Sequence, residues 1–103
     1  MVLTEKNYDE ILTKLKEMLN GHNAVTADVV DGEAIEPRHL HNCYFAKDFN
    51  EITEDKAIRF MADDQEPFLT NIDLGNDVII KDNTITIIAG IITYALTIKG
   101  GNY

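Results

Sequence analysis

The chain has one cysteine, Cys43, in 103 residues, so it cannot form an intramolecular disulfide and is not a bridge-stapled secreted module. Tryptophan is absent, and there are only two prolines and six glycines, which excludes collagen-like and Pro/Gly-rich disordered classes. No long hydrophobic run exists. The most apolar stretch, residues 85–98, is 14 residues long and is broken by Thr86, Thr93 and Thr97. A membrane helix needs about 20 apolar residues, so no spanning helix and no membrane partner are expected. The stretch Met1–Lys6 has neither an apolar core nor a small-residue cleavage site, so a secretory signal is not expected there. These absences predict a cytoplasmic protein.

Positive charge is also scarce. Nine lysines and arginines face eighteen carboxylates, for a net charge of −9. The imbalance is uneven: residues 51–77 hold eight carboxylates against Lys56 and Arg59, a local net charge of −6. Such a field repels nucleic acid and acidic membranes and attracts basic protein surfaces. Direct nucleic-acid binding is not expected.

What remains is enough for one small folded domain over residues 1–103. The apolar content of 45% can build a core, and 26% charged residues fits a globule rather than a disordered tail. Tyr8, Ile11, Leu12, Leu15, Met18 and Leu19 recur at helical spacing, predicting an amphipathic helix over about 5–20. Thr4 or Asn7 can cap its start, and Gly21 can end it.

Residues 78–98 are dominated by isoleucine, threonine and valine, which pack well on a pleated surface and lose rotamer freedom in a helix. Asp82-Asn83 predicts a two-residue turn between strands 78–81 and 84–88. Ala89-Gly90 marks a second turn or a bulge. In the last strand Ile92, Tyr94, Leu96 and Ile98 share one face. Further strands are predicted over 24–30, 40–46 and 68–72, with Asp31-Gly32 as a turn and Pro37 confined to an edge. Thr53 can cap a short second helix over 54–61, with Ala57, Ile58 and Met61 inward and an acidic loop, residues 63–67, after it. The expected fold class is α+β: an antiparallel sheet of four to six strands with a C-terminal meander, an N-terminal helix and a short second helix.

Few residues carry recognisable chemistry. A regular strand would set His39, His41 and Cys43 on one face, a potential zinc triad with His22 as a conceivable fourth ligand. Alternate strand positions lie about 6.5–7 Å apart, no C-x-x-C or H-E-x-x-H accompanies them, and no metal is expected. Cys43 with His41 or His22 could form a nucleophile and base, but nothing points to an orienting group or an oxyanion donor. Asp63-Asp64-Gln65-Glu66 lacks EF-hand spacing, and the glycines form no phosphate-binding loop, so no cofactor is expected.

The acidic stretch is the strongest functional lead. Asp55, Asp63, Asp64 and Glu66 are the expected partner-binding carboxylates, with Phe49, Phe60 or Phe68 as apolar anchors. The leading expectation is a non-catalytic interaction module whose acidic surface meets a basic partner protein, as an inhibitor or mimic of nucleic acid would. The alternative is a self-assembling structural subunit, a homo-oligomer or shell-type accessory protein, built through its C-terminal sheet. An enzyme using Cys43 and His41 ranks below both.

Overall fold

A computed structural model describes residues 1–32, 34–63 and 71–99. It is α+β, with one helix and seven strands among the described residues. The helix is α1 (Tyr8–Met18). The strands are β1 (Asn20–Asp31), β2 (Ala34–Asn50), β3 (Asp55–Met61), β4 (Asn71–Asp73), β5 (Asp77–Lys81), β6 (Thr84–Ala89) and β7 (Ile92–Ile98). All pairings are antiparallel, and the strand order is β4-β3-β2-β1-β7-β6-β5. The sheet thus has more strands than expected, and the helices number one rather than two.

The two edge strands, β4 and β5, are neighbours in sequence, joined by Leu74, Gly75 and Asn76. Seven flat strands would separate the edges by about 29 Å, whereas a three-residue link reaches about 14 Å. The sheet must therefore curl, and it forms a half-barrel. The N-terminal segment straps this junction. Leu3 N–H donates to Asn76 O, Gly75 N–H to Leu3 O and Val78 N–H to Met1 O, each at 2.8 Å.

Helix α1 fills the concave side. Its buried stripe of Tyr8, Ile11, Leu12 and Leu15 meets Val25, Leu40, Phe45, Ile58, Phe60, Ile72, Val78, Ile85, Ile87 and Leu96 in one continuous core. Asn7 is the N-cap residue, and its carboxamide Oδ1 accepts from Thr4 N–H at 2.7 Å. The helix does not reach Gly21. Leu19 is already extended and fully buried, so the chain turns directly into β1, where Gly21 lies.

The C-terminal meander follows the expected pattern. Lys81 pairs with Thr84 across the Asp82-Asn83 turn, where Asp82 has φ 54°. Ala89 pairs with Ile92 across a second two-residue turn that begins at Gly90. On β7, Leu96 is buried, with Tyr94 and Ile98 packed beside it. Pro37 lies within β2, but β3 pairs only with residues 44–50. Among the described residues, Pro37 has a neighbouring strand on one side only, which is where a missing N–H costs no ladder bond.

The expected helix over 54–61 is instead the strand β3. Its Ile58 and Phe60 face the core, and Phe60 pairs with Phe45 at a centroid distance of 5.3 Å. Tertiary pairing of two aromatic strands overrides the helical spacing of Ala57, Ile58 and Met61.

Candidate functional site

Strand alternation sorts the charges at the β2–β3–β4 end of the sheet. Asp48, Ala57 and Asp73 form one row on the outer face, and Ala46, Arg59 and Asn71 form the next. Lys47 and Lys56 point to the opposite face, where Lys56 Nζ stands 5.3 Å from the centre of the Tyr8 ring. On the outer face Arg59 is the basic side chain set among Asp48 and Asp73 in these two rows. Arg59 Nε approaches Asp48 Oδ2 at 3.7 Å.

These rows line an open depression of about 530 Å³ between Asp48, Asn50, Glu51, Arg59 and Asp73, with Phe49 and Ile52 on its rim. Its charged lining is three carboxylates and one guanidinium. Asn50 organises it: Nδ2 donates to Asp73 Oδ1 at 2.9 Å, while Oδ1 accepts from Ile52 N–H at 3.0 Å and Thr53 N–H at 3.2 Å. Glu54 N–H closes the hairpin on Asn50 O at 2.8 Å, with Glu54 at φ 60°. The site floor is tied to the helix, because Tyr8 Oη donates to Ala57 O at 2.5 Å. Burial of Tyr8 raises its phenol above the usual value of 10.0, and the nearby Asp9 and Asp48 carboxylates push in the same direction.

The hairpin tip is apolar as well as acidic. Ile52 is 95% exposed and Phe49 52%, beside Glu51 and Glu54. Of the other expected anchors, Phe60 is buried in the core and Phe68 lies outside the described residues.

The four expected carboxylates are dispersed. Asp55 opens β3 opposite Asn50, adjoining the depression. Asp63 follows the far end of β3, where its side chain accepts from Asn42 Nδ2 and its N–H donates to His41 O at 3.0 Å. Helix over residues 55–61 would have risen about 9 Å, whereas strand β3 over the same residues extends about 20 Å. Asp64 and Glu66 lie outside the described residues. Of the carboxylates in the depression, Glu51 and Asp73 belong to the acidic stretch 51–77 but not to the expected set, and Asp48 precedes that stretch. The signal that finds them is the hairpin pattern, Lys47-Asp48-Phe49-Asn50 and Lys56-Ala57-Ile58-Arg59 alternating on either side of a turn.

The His39, His41 and Cys43 constellation does not share a face. Between the pairs Val25–Leu40 and Asn23–Cys43, β1 has one residue and β2 has two, His41 and Asn42. This β-bulge, with Asn42 at φ 52°, shifts the alternation by one position. Leu40, Cys43 and Phe45 consequently point into the core, while His39 and His41 are exposed. The side chain of His22 lies outside those described. Among the described residues, no three His, Cys, Asp or Glu side chains are grouped to hold a metal ion. No helix among them is long and apolar enough to cross a membrane.

Comparison of the chain with known protein families, curated proteins and solved structures finds no match in any of the three.

Proposed function

We propose that this chain is a non-catalytic, cytoplasmic interaction module that offers the β2–β3 hairpin end of its sheet to a basic partner protein. The observation that carries this reading is the depression in which Asp48, Glu51 and Asp73 surround a single arginine while Ile52 stands exposed at the hairpin tip, with Phe49 exposed on the other face of the same hairpin. A lysine or arginine side chain of the partner would enter between the carboxylates, and its apolar neighbours would cover Ile52 at the tip. An apolar side chain exposed to this extent within a ring of charged groups fits a small anchor with a polar rim around it. A partner that handles nucleic acid suits this surface, since carboxylates can stand where phosphates would lie, and the chain would then act as an inhibitor or mimic. Asp55 extends the same surface. The same class of partner is proposed for Asp63, Asp64 and Glu66, which are close in sequence.

The test is a pull-down from host lysate at low and high salt, followed by titration of the recovered partner. Charge reversal at Asp48 and Glu51 should weaken binding by about tenfold or more and flatten its salt dependence. The parallel variant at Asp63, Asp64 and Glu66 reports whether these residues take part. Equal affinity for all three proteins, with no salt dependence, overturns the reading.

A further inference from the structure

We propose that the outer face of β5 and β6 is an interface with a second copy of this chain. This face is distinct from the acidic hairpin, and its chemistry differs. The register places Asp77 with Ile88, Ile79 with Thr86 and Lys81 with Thr84 on the outer side of the sheet, and the isolated bridge Val2–Asp77 adds Val2 to the same surface. Ile79 is 43% exposed and Val2 49%, so two large aliphatic side chains stand in solvent beside a threonine-rich strand.

The outer positions of β5 read Asp77, Ile79, Lys81: negative, apolar, positive. This order is antisymmetric about Ile79, which is what an isologous contact requires. A two-fold axis passing beside Ile79 sets Ile79 against its own counterpart and Lys81 against Asp77 of the second copy, and the pair then repeats by symmetry. Lys81 has no ion-pair partner among the described residues. Asp77 Oδ1 takes the Met1 α-amine at 2.8 Å, which leaves Oδ2 for a second cation. A second copy related by that axis presents the complementary order to this one.

Charge also selects the face. Two chains of net charge −9 repel on most approaches. Across β5, β6 and β7 the outer face carries Asp77, already paired with the Met1 α-amine, and Lys81 as its charges up to Thr97, so it bears no net negative charge. Asp28 on β1 is three strands from β5, about 14 Å away, on a sheet that curves back from the contact. The curvature keeps the interface small, within the weak class below about 1,200 Å², so association is expected at micromolar concentration or above.

Sedimentation velocity between about 10 and 500 μM tests this, a range chosen for an interface of that class. The mass should rise from 11.6 kDa toward twice that value. Ile79→Lys should hold the chain at the monomer mass with an unchanged thermal midpoint, because the side chain is exposed. Lys81→Glu should weaken association by about tenfold, and the exchange variant Asp77→Lys with Lys81→Glu should restore it. A monomer at every concentration overturns the proposal. So does association that survives Ile79→Lys, or that is indifferent to Lys81→Glu.

Discussion

The bulge at Asn42 decides which side of β2 carries its histidines, and a backbone series tests it. Asn42 is exposed and has φ 52°, so its substitution probes conformation with little interference from packing. Every replacement loses the bond from Nδ2 to Asp63, worth about 0.5–1.5 kcal/mol at most for a solvated pair. That loss is common to Gly, Ala and Val, and differences among the three report the backbone alone. Glycine accepts positive φ freely, whereas a Cβ there costs about 1–2 kcal/mol, with a β-branched residue at or above the upper end. Asn42→Ala should therefore be about 1 kcal/mol and Asn42→Val about 2 kcal/mol less stable than Asn42→Gly. Against a total of about 5–15 kcal/mol for a domain of this size, the valine effect is large. With a urea slope of about 2 kcal/mol/M it shifts the midpoint by about 1 M relative to Gly. Circular dichroism during urea titration measures all three. If valine equals or exceeds glycine in stability, Asn42 is not in the left-handed region and β2 runs unbroken. His39, His41 and Cys43 would then share a face after all, and the zinc reading would have to be reopened.

Ile85→Ala and Leu96→Ala each remove a fully buried side chain at a cross-strand pair and should cost about 2–5 kcal/mol in chemical denaturation, with coupling between them in the double variant. Tyr8→Phe should lose about 1 kcal/mol near neutral pH through the bond to Ala57 O. Because the Tyr8 phenol is raised in the folded state, the stability it contributes is complete below pH 10.0 and declines as pH rises through the folded value. The Phe variant should lack that alkaline decline in a thermal-midpoint series, and an identical decline in both proteins would show that Tyr8 is not its source.

Where local pattern and tertiary pairing agree, the fold is legible from the chain. The helix at Tyr8–Met18 and the meander after Asp77 are of this kind, since the apolar period, the β-branched content and the two-residue turns all indicate the same elements. The segment Asp55–Met61 is not. Thr53 as a cap and Ala57, Ile58 and Met61 at i, i+1 and i+4 read as a helix, and alternation is masked because both Ala57 and Ile58 are buried. Ile58 faces the core, but Ala57 is buried on the other side, beneath Asp48 and Asp73, so the site itself erased the strand signal. The carboxylates were misleading for a related reason. Nearness in sequence grouped Asp55 with Asp63, which β3 holds apart, while Asp48 and Asp73 are distant in sequence and share a row.

The same alternation gives the acidic end and the neutral face separate roles. Carboxylates around the hairpin disfavour approach by another chain of net charge −9 at that end, in keeping with the proposed self-association through β5 and β6, where the Met1 α-amine and Lys81 offset Asp77. β5 follows β4 through Leu74, Gly75 and Asn76, so Asp73 of the depression lies within about 14 Å of Asp77, and the proposed contact through Ile79 is on the strand next to the acidic end. A dimer formed in this way carries two acidic hairpins in fixed relation. A basic partner with repeated sites would then be engaged twice, and the second engagement is intramolecular, which raises apparent affinity without any new contact. Under that arrangement Ile79→Lys, outside the depression, should lower affinity for a multivalent partner while leaving affinity for a single isolated site unchanged. Loss of binding to both would mean that the substitution acts on the hairpin through the fold, and the two surfaces could no longer be treated as independent.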